Sequence, residues 1–331
     1  MSESLTPEAI LTDFSRGKVN INLAVDLLLS LIEKSNNLEL REACINALRK
    51  LGIPKENMEK VYKIIENLLL SDENQFVRNS AAVLISDHLL KYGEDALTWT
   101  IQHDSSPLVI NTLIELFLDE SQKVSLELSQ ELHKWLSNYA NCIGINLQES
   151  FFFLEVECLF TKYIKNYEIS DKSFTYFRYI SNSKSSEPFI FINNRHIERL
   201  HFNFYNWLYL KKNQDIIESF RKIKDLASYL SLQKNYDLKF RDSIDLPSSI
   251  ACLNQLKVLN LSANGIKIIP NYIFTLINLR ELDLSRNKIE EIPSSIVTLN
   301  KLKVLNLKNN NLDIIPSDLH EYLASLNKFE Y

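Results

Sequence analysis

The chain has 331 residues, of which 45% are hydrophobic and 24% charged, so it exceeds one typical domain and is neither wholly disordered nor collagen-like. Its five glycines are all more than 30 residues apart, which excludes the glycine-rich phosphate loops of kinases, GTPases and dinucleotide dehydrogenases. The net charge of −5 divides into −10 for residues 1–170 (15 basic, 25 acidic) and +5 for residues 171–331 (22 basic, 17 acidic), which favours two different domains and no nucleic-acid partner.

The cysteines and the N-terminus indicate a reducing compartment. Four cysteines are too widely spaced for metal knuckles and too few for a disulfide scaffold, so we expect them to be buried thiols: Cys44, Cys142, Cys158 and Cys252. The first residues lack a basic leader followed by an apolar core, and no stretch approaches 18 uncharged apolar residues. We therefore expect a cytoplasmic protein without membrane insertion.

Residues 1–170 are predicted to form an α-helical domain, because apolar side chains recur there at helical spacing. Two segments begin alike, LELREACINALRKLG around Arg41 and QFVRNSAAVLISDHLLKYG around Arg78, 37 residues apart. Both end in a glycine, Gly52 or Gly93, that suits a left-handed helix cap. A nonrepeating helical bundle is the alternative.

These segments resemble HEAT-like helical repeats. The pattern V-R-x-x-A-A is approximated by Val77, Arg78, Ala81 and Ala82. The resemblance implies stacked helix pairs in the N-terminal domain.

Residues 171–195 are predicted to form a β-hairpin cap or linker. SFTYFRYI and PFIFINNRHIERLHF have the composition of strands, and Asn193-Asn194 suits a tight turn. We expect the hairpin to cover the first strand of the following sheet, where an exposed edge would invite pairing.

Residues 196–331 contain an internal repeat. LKVLNLSANGIKIIP, LRELDLSRNKIEEIP and LKVLNLKNNNLDIIP begin at Leu256, Leu279 and Leu302, 23 residues apart. Alternation along a short strand buries one leucine set and exposes the residues between. An asparagine after each strand can satisfy backbone groups at the turn, so stacked copies should form an asparagine ladder of Asn235, Asn264, Asn287 and Asn310.

The pattern resembles the intracellular leucine-rich repeat family of the 23-residue type with L-P or I-P endings. The resemblance implies a solenoid with a short parallel sheet, and a role in assembling other proteins, often signalling proteins. Together with the N-terminal half, the predicted fold is a HEAT-like α-helical domain followed by an α/β leucine-rich repeat solenoid.

We count about five repeats and a partial sixth strand. Weaker copies place strands at Leu200 and at Leu230, and LNKFEY restarts the pattern at Leu326 after a 24-residue step. The last strand either forms a minimal cap around Tyr331 or is covered by a second molecule. We therefore expect a monomer, or a weak dimer through the C-terminal edge strand.

The displayed side of these strands is the predicted binding surface, a concave face for a protein partner. Its residues would form rows about 4.8 Å apart from strand to strand. They are Arg199, His201, Tyr229, Ser231, Gln233, Val258, Asn260, Ser262, Glu281, Asp283, Ser285, Val304, Asn306 and Lys308.

No catalytic, metal or cofactor motif is found in the sequence, so we expect a non-enzymatic adaptor or scaffold that uses no cofactor. The histidines form no H-E-x-x-H pair, and no G-x-S-x-G motif occurs. The alternative is a helical-repeat enzyme or accessory protein with a site in the N-terminal half. Its conceivable proton-transfer groups are His103, Asp104 and His133.

Overall fold

The computed structural model describes residues 5–117, 124–161, 164, 190–203, 207 and 245–331. Two compact units are defined by contacts, the first comprising Met1–Leu136 and Glu157–Ile169 and the second comprising Ser137–Val156 and Ser170–Tyr331. This division differs from the predicted one, in which residues 1–170 form one domain. The reason is that side chains of Glu149 and Glu155 accept hydrogen bonds from Ile197 and Ser249 in the second unit.

The predicted N-terminal helices are confirmed. The described residues contain α1 (Pro7–Ser15), α2 (Ile21–Lys34), α3 (Leu38–Leu51), α4 (Met58–Ser71), α5 (Gln75–Leu84), α6 (Leu90–His103), α7 (Pro107–Phe117), α8 (Leu126–Ile143) and α9 (Leu147–Thr161). In the first unit α3, α5 and α7 pack side by side, α2 packs on α3, and α4 packs on both α5 and α6. Buried aliphatic side chains such as Leu28, Ile45 and Ile65 fill the space between these helices.

One turn closes three of these helices in the first unit. Each residue that follows α2, α4 or α6 is extended, and its side-chain oxygen accepts the backbone N–H two residues later. These bonds measure 2.9 Å between Ser35 and Asn37, 2.9 Å between Asp72 and Asn74, and 2.7 Å between Asp104 and Ser106. The turn therefore recurs after 37 residues and again after 32.

Arg41 and Arg78, which the sequence aligned with each other, occupy equivalent places beside these turns. Arg41 pairs with Asp72. Arg78 donates from Nε and an Nη atom to the two carboxylate oxygens of Asp104, at 2.8 and 3.0 Å. Arg41 thus joins the first turn of α3 to the turn that follows α4, and Arg78 joins the first turn of α5 to the turn that follows α6.

Gly52 adopts φ +78° after α3, as a left-handed cap requires, but Gly93 does not end a helix. Gly93 lies inside α6, which continues from α5 through a π-helical turn at Ile85–Leu89. A Cβ at Gly93 would come within 2.3 Å of Ile85 Cγ2. The glycine is therefore needed for close packing against the π-helical turn, and the predicted cap at this position is wrong.

The second unit contains the predicted parallel sheet, which is confirmed. Its strands are β1 (Ile190–Asn193), β2 (His196–His201), β3 (Val258–Asn260), β4 (Glu281–Asp283), β5 (Val304–Asn306) and β6 (Lys328–Glu330), in that order. β1 and β2 form an antiparallel hairpin, and each pair from β2 to β6 is parallel. The hairpin therefore covers the leading edge of the parallel strands.

The hairpin turns at Asn194 and Arg195, with φ of 48° and 66°, one residue later than predicted. Two consecutive positive φ values are those of a type I′ turn, whose twist matches that of paired strands. The other segment predicted as a strand here, SFTYFRYI, lies outside the described residues.

Leucines of the 23-residue repeat face the interior of the second unit. Leu259, Leu282 and Leu305 are all at most 1% exposed. β3, β4 and β5 are each followed by a 3₁₀ helix, at Asn271–Thr275, Ser294–Thr298 and Ser317–Leu319. Another 3₁₀ helix precedes β3 at Ser248–Cys252, and a short helix, α10 (His320–Ser325), precedes β6. Burying apolar surface contributes about 25 cal/mol per Å² to stability, so these columns of leucines are the main stabilising contact between repeats.

β2 and β3 are neighbours in the sheet, whereas the sequence predicts a strand around Leu230 between them. These two strands pair directly, with Phe202 N donating to Asn260 O at 2.9 Å and Lys257 N donating to Glu198 O at 2.8 Å. Residues 208–244, which include Tyr229, Ser231, Gln233 and Asn235, lie outside the described residues. The predicted order of five neighbouring repeats is therefore wrong at its second member, because the place beside β2 is taken by β3.

Candidate binding face

The side of the sheet that displays Val258, Asn260, Glu281, Asp283, Val304 and Asn306 is here called the exposed face. The first row across the strands is Arg199, Val258, Glu281, Val304 and Lys328; the second is His201, Asn260, Asp283, Asn306 and Glu330. Adjacent members lie on hydrogen-bonded strands, roughly 4.8 Å apart. The predicted residues of these two rows that lie in the described part of the chain are thus brought onto one surface.

Polar groups in the second row are fixed by the backbone. The side-chain oxygens of Asn260, Asp283 and Asn306 accept the N–H two residues later, at 2.9, 2.9 and 3.1 Å. This arrangement turns the chain out of each strand while holding the side chain in one position. The three amide and carboxylate groups are therefore held in place by the turn that follows each strand.

A third row follows where the strands end. Ser262 and Lys308 are partly or fully exposed there, whereas Ser285 is buried. Asn203, at the equivalent place after β2, donates its amide to the carbonyls of Ser262 and Ala263, both at 3.0 Å. This row therefore contributes fewer accessible groups than the first two.

Two carboxylates at the margins of the exposed face are paired with lysines. Glu330 accepts hydrogen bonds from Lys308 at 2.9 Å and from Lys328 at 3.1 Å, and these bonds lower the pKa of Glu330. Glu198 is bound by Lys257 at 2.6 Å and by Asn193 at 3.1 Å, which likewise lowers the pKa of Glu198. Both groups are ionised at neutral pH, so each carries a fixed negative charge beside its lysines.

Beneath the exposed face, asparagines join neighbouring repeats. Asn287 Oδ1 accepts the N–H groups of Asn264 and Ile266, at 2.9 and 3.1 Å. Its Nδ2 donates to the carbonyls of Leu261 and Leu284, at 3.0 and 2.8 Å. Each bond crosses or closes the turn that follows a strand, where the backbone has no sheet partner.

The neighbouring asparagines repeat the pattern. Asn264 Nδ2 donates to Phe202 O at 2.7 Å, and Asn310 Oδ1 accepts the Ile289 N–H at 3.0 Å. The ladder therefore holds the exposed face at a constant strand spacing from β2 to β5.

The groups considered for proton transfer have structural partners. His103 Nδ1 and His133 Nδ1 each bond the carbonyl four residues earlier, Trp99 O and Ser129 O, both at 2.8 Å. Asp104 is 5% exposed in its ion pair with Arg78. A cavity of about 710 Å³ in the first unit is lined by Asn46, Arg49, Lys50, Ser86, Asp87 and His88, and one of about 480 Å³ by Leu38, Arg41, Asn67, Leu68, Ser71, Asp72, Glu73 and Asn74. Neither cavity contains the three groups.

Other features of the described chain bear on ligand chemistry. Within the described ranges, no group of three or more His, Cys, Asp and Glu side chains could hold a metal ion. No helix in the described part of the chain is long and apolar enough to cross a membrane. The four cysteines are free thiols, but only Cys44 is buried: Cys158 and Cys252 are partly exposed and Cys142 is exposed, contrary to the expectation that all are buried.

Three residues of the candidate face and its surroundings were not predicted. The 24-residue step from Leu302 to Leu326 places Lys328 and Glu330 opposite Val304 and Asn306, where they complete the two rows, but neither was among the predicted binding residues. Glu149, buried in α9, accepts the Ile197 N–H at 2.8 Å, and burial raises the pKa of its carboxyl. No sequence signal marks Glu149, because the polar residues of α9 are spread around the helix and form no distinct polar face.

Comparison with known proteins identifies the repeat region. The Leucine rich repeat family model matches residues 254–312 and 277–329. The prediction of a leucine-rich repeat region is therefore confirmed for residues 254–329. No curated protein matches the chain.

Proposed function

We propose that this chain is a non-enzymatic adaptor or scaffold that binds a protein partner on the exposed face of its sheet. Leucine-rich repeat regions commonly mediate protein–protein interaction, and residues 254–329 form such a region. The observation that carries the proposal is the pair of rows. The half-exposed Val258 and Val304 flank Glu281 in the first row, and Asn260 and Asn306 flank Asp283 in the second. Aliphatic anchors beside fixed polar groups are suited to a protein surface.

The finer features of the fold belong to the same proposal. We take the repeat region to be a solenoid of the 23-residue type whose exposed face is concave. For the first unit, the recurring turns at Ser35, Asp72 and Asp104 and the equivalent placement of Arg41 and Arg78 favour a HEAT-like stack over an irregular bundle. Such a stack would present a second surface to the same assembly.

Charge reversal at the centre of the exposed face tests the proposal. The tagged chain carrying Glu281→Lys and Asp283→Lys is used to capture partners from the source cell, followed by identification by mass spectrometry. Lysines at these positions place like charges against partner groups that faced carboxylates, so capture of the natural partner should be abolished. The variant also loses the hydrogen bond that the Ser285 N–H donates to Asp283, so we expect a small decrease in stability, measured by thermal melting.

A matched control distinguishes an effect of position on the exposed face from an effect of the changed net charge. Glu290 and Glu291 belong to the same repeat and are exposed, but lie after the strand, away from the exposed face. The Glu290→Lys and Glu291→Lys double variant changes the net charge equally and should retain the partner. Capture that survives the Glu281→Lys and Asp283→Lys variant, whatever the control shows, would place the interface elsewhere and overturn the proposal.

A further inference from the structure

A line of cations runs along the edge of the sheet where the parallel strands begin. Each strand from β2 to β6 brings one, at or immediately before its first row. They are Arg199, Lys257, Arg280, Lys303 and Lys328, and we call them the basic edge. Lys257, Arg280 and Lys303 occur at the same place in successive repeats, and their backbones are joined by hydrogen bonds of 2.7 Å from Arg280 N to Lys257 O and from Lys303 N to Arg280 O.

Two of these cations are already neutralised. Lys257 lies 2.6 Å from a carboxylate oxygen of Glu198, and Lys328 lies 3.1 Å from one of Glu330. Arg199, Arg280 and Lys303 are exposed and have no ion-pair partner among the described residues. Three unpaired positive charges therefore remain on a strip that crosses four strands.

The carboxylates beside the basic edge limit the classes of ligand that could bind there. Glu281 lies in the first row, and Asp283 lies in the second. A continuous polyanion such as nucleic acid would be repelled by these carboxylates, and tight binding would need more phosphate contacts than three cations supply. A polypeptide can instead place carboxylates opposite the cations and basic or hydrogen-bond-donating side chains opposite Glu281 and Asp283.

We propose that the basic edge binds an acidic segment of the partner protein, running across the strands from β2 towards β6. This inference rests on the proposed function and specifies the chemistry of the partner. Five strands span roughly 19 Å, about the length of six residues of extended peptide. Carboxylates of that segment pair with Arg199, Arg280 and Lys303, and its aliphatic side chains contact Val258 and Val304. Arg280 and Arg199 can each hold a carboxylate with two parallel hydrogen bonds.

The test uses a fluorescein-labelled peptide of about 12 residues in which glutamate alternates with alanine, long enough to cross the sheet. Its twin has glutamine for every glutamate, and a short DNA duplex serves as a third probe. Binding to the full chain is followed by fluorescence anisotropy at about 50 mM and about 300 mM salt, since screening weakens exposed pairs. The acidic peptide should bind, the twin should not, and the higher salt should weaken binding.

Two double variants locate the binding. Arg280→Glu with Lys303→Glu should raise the dissociation constant of the acidic peptide by about tenfold or more. Lys267→Glu with Arg286→Glu makes the same change in net charge in the turns that follow β3 and β4, and should change it by less than about twofold. Equal losses in both variants, equal binding of the glutamine twin, or tighter binding of the duplex than of the peptide would each overturn the inference.

Partner capture with the same variants separates this inference from the proposed function. If Glu281→Lys with Asp283→Lys abolishes capture while Arg280→Glu with Lys303→Glu leaves it intact, the exposed face binds the partner but the basic edge does not. If the peptide binds as expected and neither variant affects capture, the proposed function fails.

Discussion

Replacing Asn287 with alanine is the sharpest perturbation of the frame that carries the exposed face. The substitution removes an acceptor from two backbone N–H groups, those of Asn264 and Ile266. It also removes a donor from the carbonyls of Leu261 and Leu284, but both keep a second donor, from Asn264 Nδ2 at 2.9 Å and Asn310 Nδ2 at 2.9 Å. The energetic loss is therefore dominated by the two N–H groups.

An unsatisfied buried donor costs about 1–3 kcal/mol, and water entering the space vacated by the amide offsets part of the cost. We expect Asn287→Ala to lower the free energy of unfolding of the second unit by about 2–4 kcal/mol. Among the described residues Asn310 accepts one backbone N–H, from Ile289, so Asn310→Ala should cost about half as much. The exposed Asn311 makes no side-chain hydrogen bond among the described residues, and Asn311→Ala should stay within about 0.5 kcal/mol of the parent chain.

The assay is amide hydrogen exchange of the full chain, because two units need not unfold in one step. The amides of Asn264 and Ile266 should lose protection in Asn287→Ala, and those of the first unit should not. A loss of less than about 0.5 kcal/mol, or unchanged protection of these two amides, would refute the energetic role assigned to the ladder.

Three further predictions concern other parts of the chain. Arg78→Ala leaves the carboxylate of Asp104, which is 5% exposed, without a cation. We expect the first unit to lose about 3 kcal/mol of stability, measured by urea titration, and a loss below about 1 kcal/mol would contradict this. Gly93→Ala forces a Cβ against Ile85 and should lower stability by about 1–3 kcal/mol in the same titration. Most of that loss should disappear when Ile85→Ala is present in the same chain, and additive effects of the two substitutions would contradict the contact. The carboxyl of Glu330 should titrate below its ordinary pKa in ¹³C NMR, and Lys308→Met should raise it. Because the folded pKa of Glu330 is lowered, its stabilising contribution is present above the unfolded pKa and is lost as the pH falls through the folded pKa; an unshifted titration would contradict the pairing.

The repeat region could be predicted because its pattern is strictly periodic. Leucines spaced by 23 residues specify strands, and the strand alternation then assigns Val258, Asn260, Glu281 and Asp283 to one face. Asn194 followed by Arg195 adopts the turn expected of a hairpin, within one residue of the prediction. These features depend on local chemistry that repeats, and such chemistry can be read from a single chain.

The features that were missed depend on contacts between distant residues. Leu230 matches the repeat in spacing, but which strand lies beside β2 is decided by pairing across the sheet, and β3 takes that place. Gly93 ends a helical pattern like a cap, although its role is to admit Ile85 in the π-helical turn. Glu149 is buried for a hydrogen bond to Ile197, 48 residues away, which no local pattern signals.

The basic edge was overlooked for a related reason. Arg280 and Lys303 precede their strands by one residue, so the alternation of buried and exposed strand positions does not assign them to the exposed face. Their importance comes from stacking, since three repeats place the same charge at one edge. A periodic charge in a repeat protein therefore carries information that a single repeat does not.

Site-specific photo-crosslinking tests most directly whether the exposed face binds a protein. A benzophenone side chain is placed either at Val304, in the first row of the exposed face, or at Val297, in the 3₁₀ helix Ser294–Thr298 of the preceding repeat. Val297 is 45% exposed, so both positions can react with a bound molecule. We predict that the natural partner is crosslinked from Val304 and not from Val297. A partner crosslinked from Val297 alone would contradict the account.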